Sequence, residues 1–163
     1  MFKLIQQFSD EVKSLQQLLL KGILDRHFDT LQVFQEDYNQ PGFMEDVITL
    51  FSMTVAETLP KVTMFVSAGM EDQTNMKVAV HRIKGCSGGV GACKVVAAAD
   101  ELLEAMETRD HNRAMHALYA MTNEFYIVRD KLQNLVELDA RVYASKQKVL
   151  QMMEKSKGTS SKN

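Results

Sequence analysis

The feature that most constrains this chain is an apolar seam running from Ala114 to Val142. Ala114, Leu118, Met121, Phe125, Val128, Leu132, Leu135 and Val142 track a heptad that only Asp139 interrupts. A repeat near 3.5 residues is the mark of a helix laid against other helices. Here it belongs to a helix expected from about Arg113 to Met152. Left unpartnered, a seam of that length would hold a continuous apolar strip in water, so the fold must supply helices to cover it.

The preceding residues can supply them. Ile5, Phe8, Val12, Leu15 and Leu19 recur at three- and four-residue spacing in a first helix from Phe2 to about Leu20. Gly22 marks a bend, and Asp25 can cap a second helix carrying Phe28, Leu31 and Phe34 on one face. Tyr38-Asn39-Gln40-Pro41-Gly42 holds the chain's clearest turn signals. A third helix follows from about Phe43 toward Ala68, with Val47, Phe51, Val55, Val62 and Phe65 as its stripe. Pro60 should kink or restart it, and Gly69 should close it. A fourth helix occupies the stretch Asp72–Lys94. A fifth, about Lys94 to Thr108, buries Val95, Ala98, Leu102 and Met106. Thr108–Asn112 reads as a polar turn. No strand pattern and no internal repeat occur. The expected fold is all-α, an antiparallel four-helix bundle with additional N-terminal helices, about six in total. Residues 1–153 form one domain in this reading, and residues 154–163 a disordered tail by composition.

Function concentrates in the fourth helix. At about 100° per residue, Met76, Ala79, Ile83, Cys86 and Val90 fall on one side and His81 nearly opposite. Around His81 cluster Lys77, Lys84, Gly85, Gly88 and Ala92, with Arg82 adjacent and Gly89 and Gly91 close by. Each glycine in a helix interior costs roughly 1 kcal/mol against alanine. Close approach by another molecule explains that cost, since bulky side chains beside His81 would hold a partner away. The competing reading ends the helix near Gly85 and makes the glycines a loop. A third reading, a phosphate-cradling loop, is weak: the Walker and G-x-G-x-x-G spacings are missing and no strand precedes.

Other chemistries find no support in the sequence. No Glu stands three residues before any of the four histidines, so a bundle di-metal site is excluded. A hydrolase triad would need a nucleophile elbow and a sheet. Cys86 and Cys93 lie two helical turns apart, about 10 Å, too far for a disulfide; Cys86 reads as a reduced core thiol. The net charge of −2 offers no basic patch for nucleic acid. No apolar run reaches a membrane span and the N-terminus resembles no signal peptide, so an intracellular protein is expected. His27, His111 and His116 fall at helix edges or in a turn and read as ordinary solvated or half-buried histidines rather than ligands. His81 differs. A neutral imidazole is a nucleophile, lysines one turn away suit a group that gains negative charge, and a bare surface admits a partner. That combination describes a phosphoryl acceptor that docks another protein.

The run His81-Arg82-Ile83-Lys84-Gly85-Cys86-Ser87-Gly88-Gly89-Val90-Gly91-Ala92 resembles the H-x-x-K-G-x-x-x-x-x-G-A signature of histidine-containing phosphotransfer (HPt) proteins in their plant form. Ile23, Leu24, Asp25, Phe28, Leu31, Gln32, Pro41, Phe43, Val47, Leu50 and Phe51 match earlier helices of the family. Tyr126, Val128, Arg129, Asp130, Lys131 and Leu132 match a later one. The likeness spans roughly residues 15–145. Two departures stand out: Cys86-Ser87-Gly88-Gly89 where the family usually has serines, and Arg82 in place of a common glutamine. Both bear on partner preference.

The resemblance implies a phosphorelay intermediate. His81 would take a phosphoryl group from the receiver-domain aspartate of a hybrid sensor histidine kinase and pass it to a response-regulator aspartate, in cytokinin signalling. Lys84 would stabilise charge, while Lys77, Arg82, Gly85, Gly88, Gly89 and Ala92 would dock the partner. The receiver would bring Mg²⁺; the chain itself would need no cofactor or metal and have no ATP-dependent kinase activity. A monomer in cytoplasm and nucleus, without nucleic-acid or membrane partners, is expected. The alternative is a non-catalytic helical scaffold or dimerisation module, which accounts for the heptad but not for the glycines beside an exposed His–Lys pair.

Overall fold

A computed structural model describes residues 2–38, 40 and 42–160. Their elements are six helices: α1 (Phe2–Leu20), α2 (Arg26–Asp37), α3 (Phe43–Ser67), α4 (Gln73–Gly89), α5 (Cys93–Glu107) and α6 (His111–Ser160). No strand occurs among the described residues, and none of their helices is long and apolar enough to cross a membrane. Asn39 and Pro41 of the expected turn lie outside the described residues.

The helices α3, α4, α5 and α6 close into an antiparallel four-helix bundle. Each packs on the next in chain order and α6 returns to α3, so α4 sits between α3 and α5, and α2 also meets it. The α6 seam is covered as its spacing requires, with Met121, Phe125 and Leu132 fully buried and Asp139 exposed. Phe125 meets Phe51 of α3 edge-on at 5.5 Å, a favoured aromatic geometry in the middle of the bundle. Beyond Val142, α6 runs past the bundle alongside α1, and among residues 143–159 it buries only Val149.

Local chemistry sets the helix ends. Asp25 caps α2 by accepting from the His27 N–H at 2.9 Å. Asp72 caps α4 by accepting from the Asn75 N–H at 3.2 Å. At the end of α3, Gly69 takes φ +91°, and the Gly69 and Met70 N–H groups donate to Val66 O and Phe65 O. That is a Schellman closure, which satisfies two carbonyls the helix would otherwise leave unpaired.

Four expectations change. The third helix does not restart at Pro60: α3 is continuous, and the Ala56 carbonyl deprived of its N–H partner lies on the exposed side, where water can replace it. The face shared by Phe28, Leu31 and Phe34 is not buried throughout: Phe34 is 41% exposed and stacks between Tyr38 and Phe43, each at 4.6 Å. α6 begins at His111 because Asp110 accepts from the Arg113 N–H at 3.1 Å, drawing residues 111–112 into the first turn. Residues 154–160, read from composition as a disordered tail, continue α6 to Ser160, with Thr159 Oγ1 donating to the Lys155 and Ser156 carbonyls. Their surface is polar, but a helix already propagating needs no new nucleus to extend. Residues 161–163 lie outside the described residues.

Candidate functional site

The glycine-rich stretch is helical. α4 runs unbroken from Gln73 through Gly85 and Gly88 to Gly89, which decides against a loop beginning at Gly85. Its buried side is wider than the five-residue stripe expected: Met76, Val80, Ile83 and Ser87 are fully buried, Ala79 nearly so, and Cys86 is half-buried. Burial pushes the Cys86 thiol up from its ordinary value, keeping it a neutral thiol rather than a competing thiolate. Both cysteines are free.

His81 points to solvent from the opposite face, on a frame locked by Val80 and Ile83. No group among the described residues hydrogen-bonds its ring. Lys77 and Lys84, a turn to either side, are half-buried, so their stems lie along the bundle while their ammoniums stay near its surface. Arg82, Gly85 and Gly89 are exposed. A Cβ at Gly85 or Gly89 would meet nothing within 4 Å, and one at Gly88 would only touch Val96 Cγ2 at 4.0 Å. Nothing inside the protein demands glycine at these three positions. The bare strip beside His81 is therefore surface without side chains, and not a tight internal contact.

Two residues of the expected cluster leave it. Ala92 is 1% exposed and sits outside α4, at the N-cap of α5, so it cannot dock a partner. Helical arithmetic fails there because α4 ends at Gly89 and the chain turns at Gly91 with φ +77°. Gly91 is likewise internal: its carbonyl accepts from the Asp25 N–H at 2.8 Å, and a Cβ on it would lie 2.7 Å from Asp25 Oδ1 and 3.0 Å from Phe28 N. This glycine holds the start of α2 against the α4–α5 turn.

Two residues join the site. Val78 is 64% exposed, one turn from both His81 and Arg82, and gives the face an apolar contact. Asp100 of α5 reaches Lys84, Oδ1 to Nζ at 2.6 Å. Val78 was within reach of the sequence, on the same helical projection; Asp100 was not, because its meeting with Lys84 depends on the register between α4 and α5. Among the described residues no group of three or more His, Cys, Asp and Glu side chains could hold a metal ion.

The other histidines are placed differently. His27 stands in the first turn of α2 with Nδ1 3.0 Å from Asp25 Oδ1. His111 and His116 lie exposed on the first turns of α6, away from any glycine surface.

No family model matches the chain. Over 128 residues, 78% of its length, it is 31% identical to histidine-containing phosphotransfer protein 1 of Arabidopsis thaliana, 82% of which is covered. The chain belongs to the histidine-containing phosphotransfer (HPt) proteins. It is also 26% identical over 130 residues to HPt protein 2 of Oryza sativa subsp. japonica, a match covering 80% of this chain and 87% of the rice protein. Among solved structures, the maize HPt protein ZmHP2 superposes with a TM-score of 0.78 at 27% identity, over 83% of this chain and 99% of the maize protein. A rice HPt structure shares the fold, with a TM-score of 0.77 at 24% identity over 85% of this chain and 98% of that one. Those coverages place the HPt fold on the bundle of this protein, the part that carries α4.

Proposed function

We propose that this HPt protein is a phosphorelay intermediate whose phosphoryl acceptor is His81. The observation that carries the reading is the His81 ring: exposed in the middle of α4, with no hydrogen-bond partner among the described residues, beside Lys84 and a strip of bare glycine surface. Its donor is an aspartyl phosphate on the receiver domain of a hybrid sensor kinase. A neutral ring nitrogen attacks phosphorus, the N–P bond forms as the bond to the aspartyl oxygen breaks, and the carboxylate leaves. The second transfer reverses this: a response-regulator aspartate attacks, and the imidazole departs neutral. Positioning and charge neutralisation supply most of the acceleration in such transfers. Lys77, Arg82 and Lys84 offer cations for the phosphoryl oxygens and an acidic partner surface. Gly85, Gly88 and Gly89 give clearance, and Val78 an apolar contact.

The receiver supplies the Mg²⁺ in this scheme, and the HPt chain neither binds ATP nor phosphorylates itself. In this reading it is a monomer in plant two-component signalling that serves cytokinin signalling and moves between cytoplasm and nucleus. The deciding experiment incubates the chain with a phosphorylated receiver domain. Acid-labile, base-stable label should appear on it and chase onto a second receiver; a chain that stays unlabelled sinks the reading.

Lys84→Ala is expected to slow transfer about tenfold at saturating receiver while changing the dissociation constant little. One electrostatic contact in a dry site is worth more than that, and solvent at this open face reduces it. An unchanged single-turnover rate would remove Lys84 from the transfer step.

Gly88 separates docking from folding. Gly88→Ala should stabilise the free protein by up to about 1 kcal/mol, read as a raised melting temperature, because the helix gains an alanine and the space is open. Gly88→Leu should leave the bundle folded but raise the dissociation constant for a receiver. Unaltered binding by the leucine variant would move the docking face off this side of α4.

A further inference from the structure

Lys84 is already engaged in the unphosphorylated chain. Its ammonium lies 2.6 Å from Asp100 Oδ1, across the groove between α4 and α5. Asp100 is the α5 carboxylate turned toward α4. Its neighbours Glu101 and Glu104 are both taken by Arg113 of α6, through Nε and Nη2. The Lys84 and Asp100 side chains are 38% and 48% exposed, so water competes for both and the pair can open without disturbing the core. Lys84 is also three residues from His81 on the same helix, within reach of a group bound to that ring. One ammonium therefore has two anionic claimants: a fixed carboxylate before transfer and a phosphoryl group after it. The phosphoryl carries the larger charge, about −2 near neutral pH, and nothing else among the described residues bonds the His81 ring.

We propose that Asp100 is a positioning residue that holds Lys84 in the unphosphorylated chain and yields it to the phosphoryl group on His81. This rests on the phosphotransfer reading given above and adds to it what sets the balance of the reversible transfer. Breaking the Lys84–Asp100 pair offsets part of what Lys84 gains from the phosphoryl group, and the Asp100 charge opposes a second anion nearby. Both effects raise the free energy of phosphohistidine, so the chain discharges more readily onto the next receiver than it would without Asp100.

The test measures the equilibrium constant for transfer from one phosphorylated receiver domain to the full-length chain, in wild type and variants, at low and high salt. Asp100→Asn keeps the shape and removes the charge. It should move the equilibrium about two- to fivefold toward phosphorylated His81, the range expected for a half-exposed ion pair, and the shift should shrink at high salt. Asp100→Glu should restore the wild-type balance if it regains Lys84. In a Lys84→Ala background, Asp100→Asn should have a clearly smaller effect. An equilibrium unmoved by Asp100→Asn, with wild type accepting label normally, overturns this proposal and leaves the phosphotransfer reading standing. The same shift with and without Lys84 also overturns it, because the effect then does not pass through Lys84. No label on the wild-type chain overturns both.

Discussion

Replacing His81 by glutamine is expected to reduce labelling by a phosphorylated receiver to background while leaving the melting temperature nearly unchanged. Glutamine offers no nucleophilic nitrogen, so the N–P bond cannot form. The position is exposed, and no hydrogen bond to the described residues is lost. Substitutions of that kind usually change stability by less than about 0.5 kcal/mol. Helical circular dichroism and a thermal melt should therefore overlay those of the wild type, and binding of an unphosphorylated receiver should persist. A melting temperature lower by many degrees would mean that the ring supports the fold. Label that survives the substitution would move the acceptor to another side chain.

The largest effect on stability is expected at Gly91, ten residues away. Two costs combine there. At φ +77° an alanine sits in the left-handed region, which disfavours L-residues by roughly 1–2 kcal/mol. Its Cβ would also lie 2.7 Å from Asp25 Oδ1, 3.0 Å from Phe28 N and 3.2 Å from Asp25 O. Two of those are backbone atoms at the start of α2, which cannot turn aside as a flexible side chain does. Overpacking of this kind costs about 1–3 kcal/mol. Gly91→Ala should thus destabilise by about 2–4 kcal/mol and lower the melting temperature by roughly 5–15 °C. It leaves His81, Lys84 and the glycine strip in place, so the fraction still folded at low temperature should accept phosphoryl normally. Unchanged melting would show that α2 is not seated on the α4–α5 turn. Glycines that are neighbours in sequence thus carry opposite expectations: alanine stabilises at Gly88 and destabilises at Gly91.

Much of this was legible before any coordinates. Apolar spacing located the helices because each must bury one stripe, and the α6 heptad required the bundle that covers it. The exposure of His81 followed from rotation about α4 alone, since a helix projects its residues without reference to the rest of the fold. Readings failed where that local rule stopped applying. Ala92 was placed on the docking face by carrying the helical rotation past Gly89, where the chain no longer turns that way. The role of Gly91 depends on α2 being packed against it, a contact between distant parts of the sequence. The Lys84–Asp100 pair needs the register between two antiparallel helices, which no single-helix projection contains. Periodicity put Phe34 on one face with Phe28 and Leu31, yet α2 has only a narrow contact with the bundle, and this aromatic stacks at the surface.

The reach of α6 past the bundle divides its energetics, although the helix itself is continuous. From Tyr143 to Thr159 it buries a single residue, Val149, and its neighbour there is α1, whose first turn leaves Phe2 and Leu4 in water. So little burial cannot tie this overhang to the global unfolding transition. Amide protection must decline along one helix, high from Ala114 to Leu132 and low toward Ser160. The cooperative unit that holds α4 rigid ends near Val142, and the overhang of α6 with the N-terminal end of α1 can open and reclose without the acceptor face sensing it.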